Sequence, residues 1–414
     1  MRLKELRKNK MFGDAIYYYL GKIIPGLIGF LLPPLLIRIL GVSYYGEYSL
    51  LQSSLLLTST FVTGWLGQSF MRFYSSKENK KDYSNFFYQL IFWINIISTP
   101  FVFTVIILLG YNWALSILYS ITYFSLNLFS LLTIENNTKL FSKKVVFADG
   151  IRAITFIITP IILYFLDFSK PDNYIFFIFL GGLISYSIAS IYLQKQFFSN
   201  LRITFKINKI WLREMLKYGT PIAFWMVTAY LLNISDRFII KYFLGFEEVG
   251  IYSAIYDIFY KLMTFAFMPL LMAFQPIIIK LFNEGQTQKV DSIIKKVIFF
   301  LITIFIILFI LVYFLKSYII IDFLNLSLQK SDSIILPIFV GAFIWNLSMF
   351  VHKPLELKKK TNIMLYGVML AFTFNLIGNI IFIPTYGLIA AAYTTLLSTL
   401  VYLVYVIIYL KYKK

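Results

Sequence analysis

VIFFLITIFIILFILVYFL, residues 297–315, runs for nineteen residues with one threonine and no charge. As an α-helix it would measure about 28 Å, close to the roughly 30 Å thickness of a bilayer's hydrocarbon core. A barrel strand would alternate apolar and polar residues over about ten positions, and this stretch does not alternate. Backbone amides in hydrocarbon need partners in their own segment or in a closed barrel, so the continuous apolarity here dictates a spanning helix. The rest of the chain has the same character. Of 414 residues 59% are apolar and 14% charged, whereas a soluble domain carries about a quarter charged residues. Lipid must cover much of such a chain.

Twelve stretches are expected to span: 12–37, 46–71, 84–109, 113–134, 145–166, 174–194, 217–243, 249–279, 293–315, 333–352, 363–383 and 387–410. The fold class is therefore an all-α polytopic membrane protein of about 12 transmembrane helices. The basic residues test that count. Of 38 Lys and Arg, 29 fall before the first span, after the last, or between spans two and three, four and five, six and seven, eight and nine, and ten and eleven. All these segments share one side in an alternating topology, and the positive-inside rule makes that side, with both termini, cytoplasmic. A miscount by one span would scatter them.

The net charge of +19 is thus spread over every cytoplasmic loop, where it suits topology and anionic lipid and leaves no folded groove for nucleic acid. The N-terminal MRLKELRKNK leads into a span without a small-residue cleavage site, so it is expected to be retained as a topogenic segment. With no cysteine, disulfides and thiolate metal sites are excluded. No P-loop, zinc motif or catalytic triad is present, and no cofactor or metal is expected. The abundance of Lys, Ile, Asn, Phe and Tyr suits an AT-rich bacterial genome.

One stretch repeats. LGVSYYGEYS (Leu40–Ser49) returns 204 residues later as LGFEEVGIYS (Leu244–Ser253), with Leu, two Gly, Tyr and Ser coinciding without a gap. Each copy lies at the outer end of a first helix, through a tight turn, into a second. Glycine frees the backbone for that turn, and Tyr48 and Tyr252 are expected in the interfacial aromatic belt. The longest cytoplasmic linker separates the two surroundings. The expected organisation is an N-terminal six-helix lobe (1–194), a linker (195–216) and a C-terminal six-helix lobe (217–414). Both lobes begin in the cytoplasm, which makes them parallel repeats suited to alternating access.

Ionisable residues inside spans are costly, so they usually face a cavity or a partner. Six cations fall there: Lys22, Arg38, Arg152, Arg237, Lys241 and Lys261. Four-residue spacing places Asn233, Arg237 and Lys241 on one face of the seventh helix, and Ser253, Asp257, Lys261 and Thr264 on one face of the eighth. Lys22 shares a face with Gly26, Gly29 and Pro33, and Asp149, Arg152, Thr155 and Thr159 form a fourth stripe. Lys261 lies roughly 18 Å into its helix, near the midplane. Such faces suit a shared aqueous cavity that accepts an anion, with Arg237 and Lys261 as the leading candidates and Lys22, Lys241, Arg152 and Asn233 beside them. Asp236, Asp257 and Asp149 are the coupling or ion-pair candidates; Arg38 and Lys241 are equally read as snorkelling to the interface. Gly21, Pro25, Gly26 and Gly29 weaken the first helix and mark it as a hinge. His352, the only histidine, is read as neither ligand nor catalyst, and Asn375 with Asn379 as bonds between helices.

RILGVSYYGEYSLLQS near the N-terminus, ISDRFIIKYFLGFEEVGIYSAIYDI across helices seven and eight, and IPTYGLIAAAYTTLLS at 383–398 resemble the Wzx-type polysaccharide–lipid flippases. That family belongs to the MOP superfamily, with MATE exporters and the lipid II flippase MurJ. The resemblance covers essentially the whole chain and implies twelve helices in two lobes. MurJ-type proteins generally carry two further C-terminal helices, so the expected twelve favour Wzx. It implies a flippase, not an enzyme, moving an undecaprenyl-diphosphate-linked oligosaccharide across the bacterial cytoplasmic membrane for O-antigen, capsule or other surface polysaccharide. Its partners would be that lipid-linked substrate, membrane lipid and other polysaccharide-assembly proteins. The alternatives are a MATE-type multidrug or ion antiporter and a lipid II flippase. A membrane glycan polymerase fits least, because the longest outer loop expected (316–332) carries one acid in its body, Asp322.

Overall fold

A computed structural model describes residues 23–166, 171–194, 207–358 and 360–412. Among them the chain forms twelve long helices: α1 (Ile23–Leu40), α2 (Val42–Phe73), α3 (Lys80–Leu108), α4 (Trp113–Thr138), α5 (Ser142–Leu166), α6 (Pro171–Leu193), α7 (Lys209–Leu244), α8 (Phe246–Asn283), α9 (Thr287–Tyr318), α10 (Leu328–Val351), α11 (Thr361–Tyr386) and α12 (Leu388–Tyr412). Nine of these, among the described residues, are long and apolar enough to cross a bilayer. Large apolar side chains on them remain exposed, such as Phe299 and Phe314 on α9, as lipid-facing residues should be. The chain is a multi-pass membrane protein. The other three, α2, α7 and α8, overlap expected spans and run 32, 36 and 38 residues, and α7 and α8 carry Arg237, Asp257 and Lys261 within them.

Turn chemistry sets the helix ends. The Asn79 side chain caps α3 through the Asp82 amide, and Asn112 caps α4 through the Leu115 amide. Gly41 and Gly245, the second residues of the two decamers, both take positive φ, +78° and +96°. That backbone conformation strains any L side chain although the space around it is open, and glycine lets one helix stop and the next begin after a single residue. Further into the decamers, a Cβ on Gly46 would overlap the carbonyl oxygen of Phe246 and one on Gly250 that of Val42, so the contact between the two copies is reciprocal. The loop expected at 316–332 is shorter than its sequence suggests. Helix α9 continues to Tyr318, a wider helical turn follows at Ile319–Phe323, and α10 starts at Leu328.

Packing divides the chain into two compact units. One comprises the described residues up to Gly29 together with Ser54–Met226; the other comprises Phe30–Ser53 together with the described residues from Val227 onward. The divisions fall inside α1, α2 and α7. In the first unit α4 and α5 both pack on α6, and α3 packs on α4. Its core is aromatic: Phe70 stacks on Phe87 at 4.0 Å, and Trp211 stands edge-on to Tyr83 and Phe86. Polar side chains here pair with one another, Ser59 donating to Asn127 and Asn127 to Asn95. In the second unit α12 packs on α10 and α11, and α10 on α8 and α9. Phe305 stacks on Phe343 at 3.8 Å, and Phe259 meets Phe339 edge-on.

Candidate functional site

Arg237 and Asn233 on α7 and Asp257 and Lys261 on α8 come together in the second unit. Arg237 Nη2 donates to Asp257 Oδ1 at 2.6 Å, and its Nη1 donates to Ser49 Oγ at 2.8 Å and Ser53 Oγ at 3.2 Å, both on α2. Tyr45 also hydrogen-bonds Asp257. The guanidinium carbon lies 5.4 Å from the Tyr256 ring centroid, within reach of a cation–π contact. Arg237 is only 5% exposed, so this cation is enclosed and not displayed. Lys261 sits one turn beyond Asp257, 3.9 Å from its Oδ2, with a side chain 41% exposed. Asn233 accepts from the Tyr256 hydroxyl at 2.6 Å. Tyr252, Tyr256 and Tyr260 stack along α8, with centroids 5.9 and 5.4 Å apart.

Arg237 Nε and the hydroxyls of Ser253 and Thr264 are buried with no hydrogen-bond partner among the described residues. Buried polar atoms in native proteins nearly always have partners, so each of these three can take a water or a bound polar group. The group combines one enclosed and one exposed cation, one carboxylate and a tyrosine ladder. Chemically it can hold an anion.

Asp236 faces a different set. Its carboxylate, 0% exposed, accepts from the Tyr252 hydroxyl, from Thr395 Oγ1 at 3.2 Å and from the Arg237 amide at 3.0 Å. Beyond Thr395, Asn375 takes a bond from Asn379 at 3.0 Å and Asn379 one from Thr394. This carboxylate is hydrogen-bonded by two hydroxyls and one backbone amide, and the Arg237 guanidinium also acts on it electrostatically. Tyr252 therefore lies inside the protein and not in the interfacial belt expected for it, and Tyr48 is buried as well. The reason is the acceptor: Asp236 offers the tyrosine hydroxyl a stronger partner than headgroup water.

The remaining candidates are dispersed. Lys241 is exposed, with its ammonium 5.3 Å from the Phe246 ring centroid. Arg38 donates to the Asp322 carbonyl at 2.7 Å. In the first unit Arg152 pairs with Asp149 at 3.3 Å between the rings of Phe129 and Tyr186. Helix α1 is unbroken from residue 23 through Pro25, Gly26 and Gly29, and a division between packing units falls directly after Gly29. Gly21 and Lys22 lie outside the described residues. His352 Nδ1 is 2.9 Å from the Tyr402 hydroxyl. No group of three His, Cys, Asp or Glu able to hold a metal occurs among the described residues.

Sequence reasoning missed Glu135, a carboxylate 1% exposed at the end of α4, bonded to Tyr88 and Lys139 at 2.5 Å each. It also missed Lys77, which pairs with Glu214 at 2.5 Å inside a ring of Phe73, Tyr83 and Trp211. Both sit at span ends, where an acid or lysine reads as an ordinary loop charge.

The fold is shared with several solved membrane transporters. The chain superposes on "Lipid II flippase MurJ, inward closed conformation" with TM-score 0.76 and 17% identity, over 96% of this chain and 87% of that one. It superposes on an outward-facing multidrug resistance MATE family transporter with TM-score 0.71 and 12% identity, over 96% and 94%. A MOP superfamily transporter from Pyrococcus furiosus gives TM-score 0.67 and 10% identity, over 95% and 92%. At these identities the likeness is one of fold. Residues 12–282 match the family described as polysaccharide biosynthesis protein, and the chain belongs to that family. No curated protein matches it at a significant level.

Proposed function

We propose that this chain is a flippase that carries an undecaprenyl-diphosphate-linked oligosaccharide across the bacterial cytoplasmic membrane for O-antigen, capsule or related surface polysaccharide. The observation that carries the reading is the cluster of Arg237, Asp257 and Lys261, with its unpartnered buried polar atoms, inside a member of the polysaccharide biosynthesis family. A diphosphate needs cations in a low-dielectric place, and a strictly cation-exporting cavity would not put Arg237 and Lys261 there. This weighs against the MATE-type reading of the same fold.

In this proposal α2, α7 and α8 cross the membrane with the nine apolar helices, the termini are cytoplasmic, and the Gly41 and Gly245 turns face outward. Residues 1–194 and 217–414 act as lobes that exchange access to the cavity, with α1 bending near Pro25–Gly29. The prenyl chain stays in lipid while the headgroup passes. Asp236, held by hydroxyls and amides, is where a coupling cation or proton would act.

The test is expression in a bacterium lacking its own repeat-unit flippase. Return of surface polysaccharide, with loss on Lys261→Ala at unchanged membrane protein level, is the expected result. Absence of rescue by well-expressed protein, across hosts that differ in repeat unit, would overturn the reading.

A further inference from the structure

The turn between α4 and α5 carries an unusual residue for its shape. The Leu140 amide donates to the Asn137 carbonyl at 3.0 Å, and the Phe141 amide to the Asn136 carbonyl at 2.9 Å. This pair of bonds closes a helix whose next residue takes a left-handed conformation, a place that glycine normally fills because a Cβ strains it. Among the described residues seven take positive φ, and five of them are glycine. Asn325 is a sixth, of a type that tolerates the conformation. The seventh is Leu140, at φ +62°. Its side chain is 83% exposed, so packing inside the protein does not offset the strain, and Phe141 beside it is 54% exposed.

The height of this tip says what covers it. Helix α4 has 26 residues and is about 39 Å long, against roughly 30 Å of hydrocarbon and roughly 40–45 Å with the headgroup layers. Its first residue, Trp113, is exposed, and an exposed tryptophan at a span's end belongs to a headgroup layer. Leu140 and Phe141, at the other end, then fall in the opposite headgroup layer. Cations stand at the same height. Lys139 is committed to Glu135 at 2.5 Å, but Lys143, exposed, and Lys144, half-buried, follow on the first turn of α5. One turn beyond Lys143 is the exposed Phe147, and Ile154 and Ile158 continue the same exposed face. A boundary contact, cations at headgroup height and an apolar stripe toward the midplane match the parts of an anionic lipid.

From this we infer that the α4–α5 turn is a binding site for an anionic phospholipid. Leu140 and Phe141 are set into the headgroup boundary, Lys143 and Lys144 meet the phosphate, and an acyl chain runs along Phe147, Ile154 and Ile158. Lipid supplies the apolar surroundings that Leu140 lacks within the protein, and that contact offsets the strained backbone. The lysine stems lie on the apolar surface while their ammonium groups reach phosphate. A protein docked here would have to displace lipid from the exposed face of α5, which favours the membrane itself as the partner. The site belongs to the first packing unit alone and is independent of what the protein transports.

The purified full chain in detergent micelles tests this. Phosphatidylglycerol is expected to raise the thermal midpoint more than phosphatidylcholine does, with glycerol phosphate ineffective. Lys143→Ala/Lys144→Ala should lose most of that difference. Lys295→Ala/Lys296→Ala, an exposed pair on α9 in the second packing unit, should keep it. Leu140→Gly should hold or raise the midpoint without added lipid, because glycine accepts the conformation, and should shrink the gain from phosphatidylglycerol. A fall without lipid would show that Leu140 packs within the protein and would overturn the site. So would an equal response in all variants, or a full response to glycerol phosphate. Immersion is read separately. The chain has no cysteine, so Ser142→Cys carries a single bimane in nanodiscs. A headgroup-nitroxide lipid is expected to quench it, and dissolved iodide to quench it severalfold less than a bimane at Asn208→Cys. Strong quenching by iodide with none by the lipid would place the tip in water and overturn the site.

Discussion

Arg237 and Lys261 compete unequally for Asp257: the guanidinium nitrogen is 2.6 Å from one carboxylate oxygen, and the ammonium is 3.9 Å from the other. Asp257→Ala should therefore take from the enclosed Arg237 its hydrogen-bonded carboxylate, leaving only Asp236 to offset its charge, and cost up to about 3–5 kcal/mol, whereas Lys261→Ala leaves the carboxylate neutralised. The expected result in detergent is a marked drop in thermal midpoint for Asp257→Ala and little change for Lys261→Ala. Equal midpoints would show that Asp257 is balanced mainly by its lysine.

Lys261 is then the variant in which transport and stability separate. Lys261→Ala should abolish surface polysaccharide at normal protein level, and Asp257→Ala/Lys261→Ala should stay inactive. Recovery in the double variant would mean that the lysine exists only to balance the acid. Arg237→Lys keeps the charge but loses the fork that reaches Asp257 and the serines together, so partial activity is expected.

Asp236→Asn tests the proposed coupling site. An amide has the size of the carboxylate, and the hydroxyls of Tyr252 and Thr395 can rotate to meet it, so the protein should accumulate normally. Transport should be lost if a charged Asp236 is required for the cycle. Unimpaired rescue by Asp236→Asn would make this network purely structural.

Topology is open to a direct measurement. Ser327 and Asn208 are both exposed in the structure. Ser327→Cys should react with an impermeant maleimide on intact spheroplasts, and Asn208→Cys only after permeabilisation. The reverse pattern would invert the orientation.

The hinge concerns α1. Pro25→Ala and Gly26→Leu each raise the helix propensity of α1 close to the division after Gly29, and each should slow transport several-fold if α1 must bend. Normal rescue by both would leave these residues a packing role alone.

Much of the fold could be read from the chain because lipid imposes its requirement locally: residues 297–315 need no knowledge of their neighbours to be a spanning helix. Basic loops carried α2, α7 and α8 into the expected set even though their polar faces dilute them. The site was legible in part. Helical spacing put Arg237, Asp257 and Lys261 on candidate faces, since four-residue intervals are a property of one helix. Spacing could not reveal that Ser49 and Ser53 enclose Arg237, because those partners lie 188 and 184 residues away. Tyr252 was misplaced for the same reason. Its surroundings are set by Thr395, 143 residues on, and by Asp236, one helix back.

The reciprocal glycine contact also bears on ancestry. Two identical six-helix subunits related by a two-fold axis would meet through an isologous patch, in which one glycine supplies both sides. The crossing of Gly46 with Phe246 and of Gly250 with Val42 retains that pairing rule inside a single polypeptide. In a chain fused from two such subunits each side would be free to mutate separately, yet a bulky residue at either position would block the same crossing. Across related sequences the two positions should therefore stay small together, while the residues between the coinciding points of each decamer, such as Ser43–Tyr45 and Glu247–Val249, diverge independently.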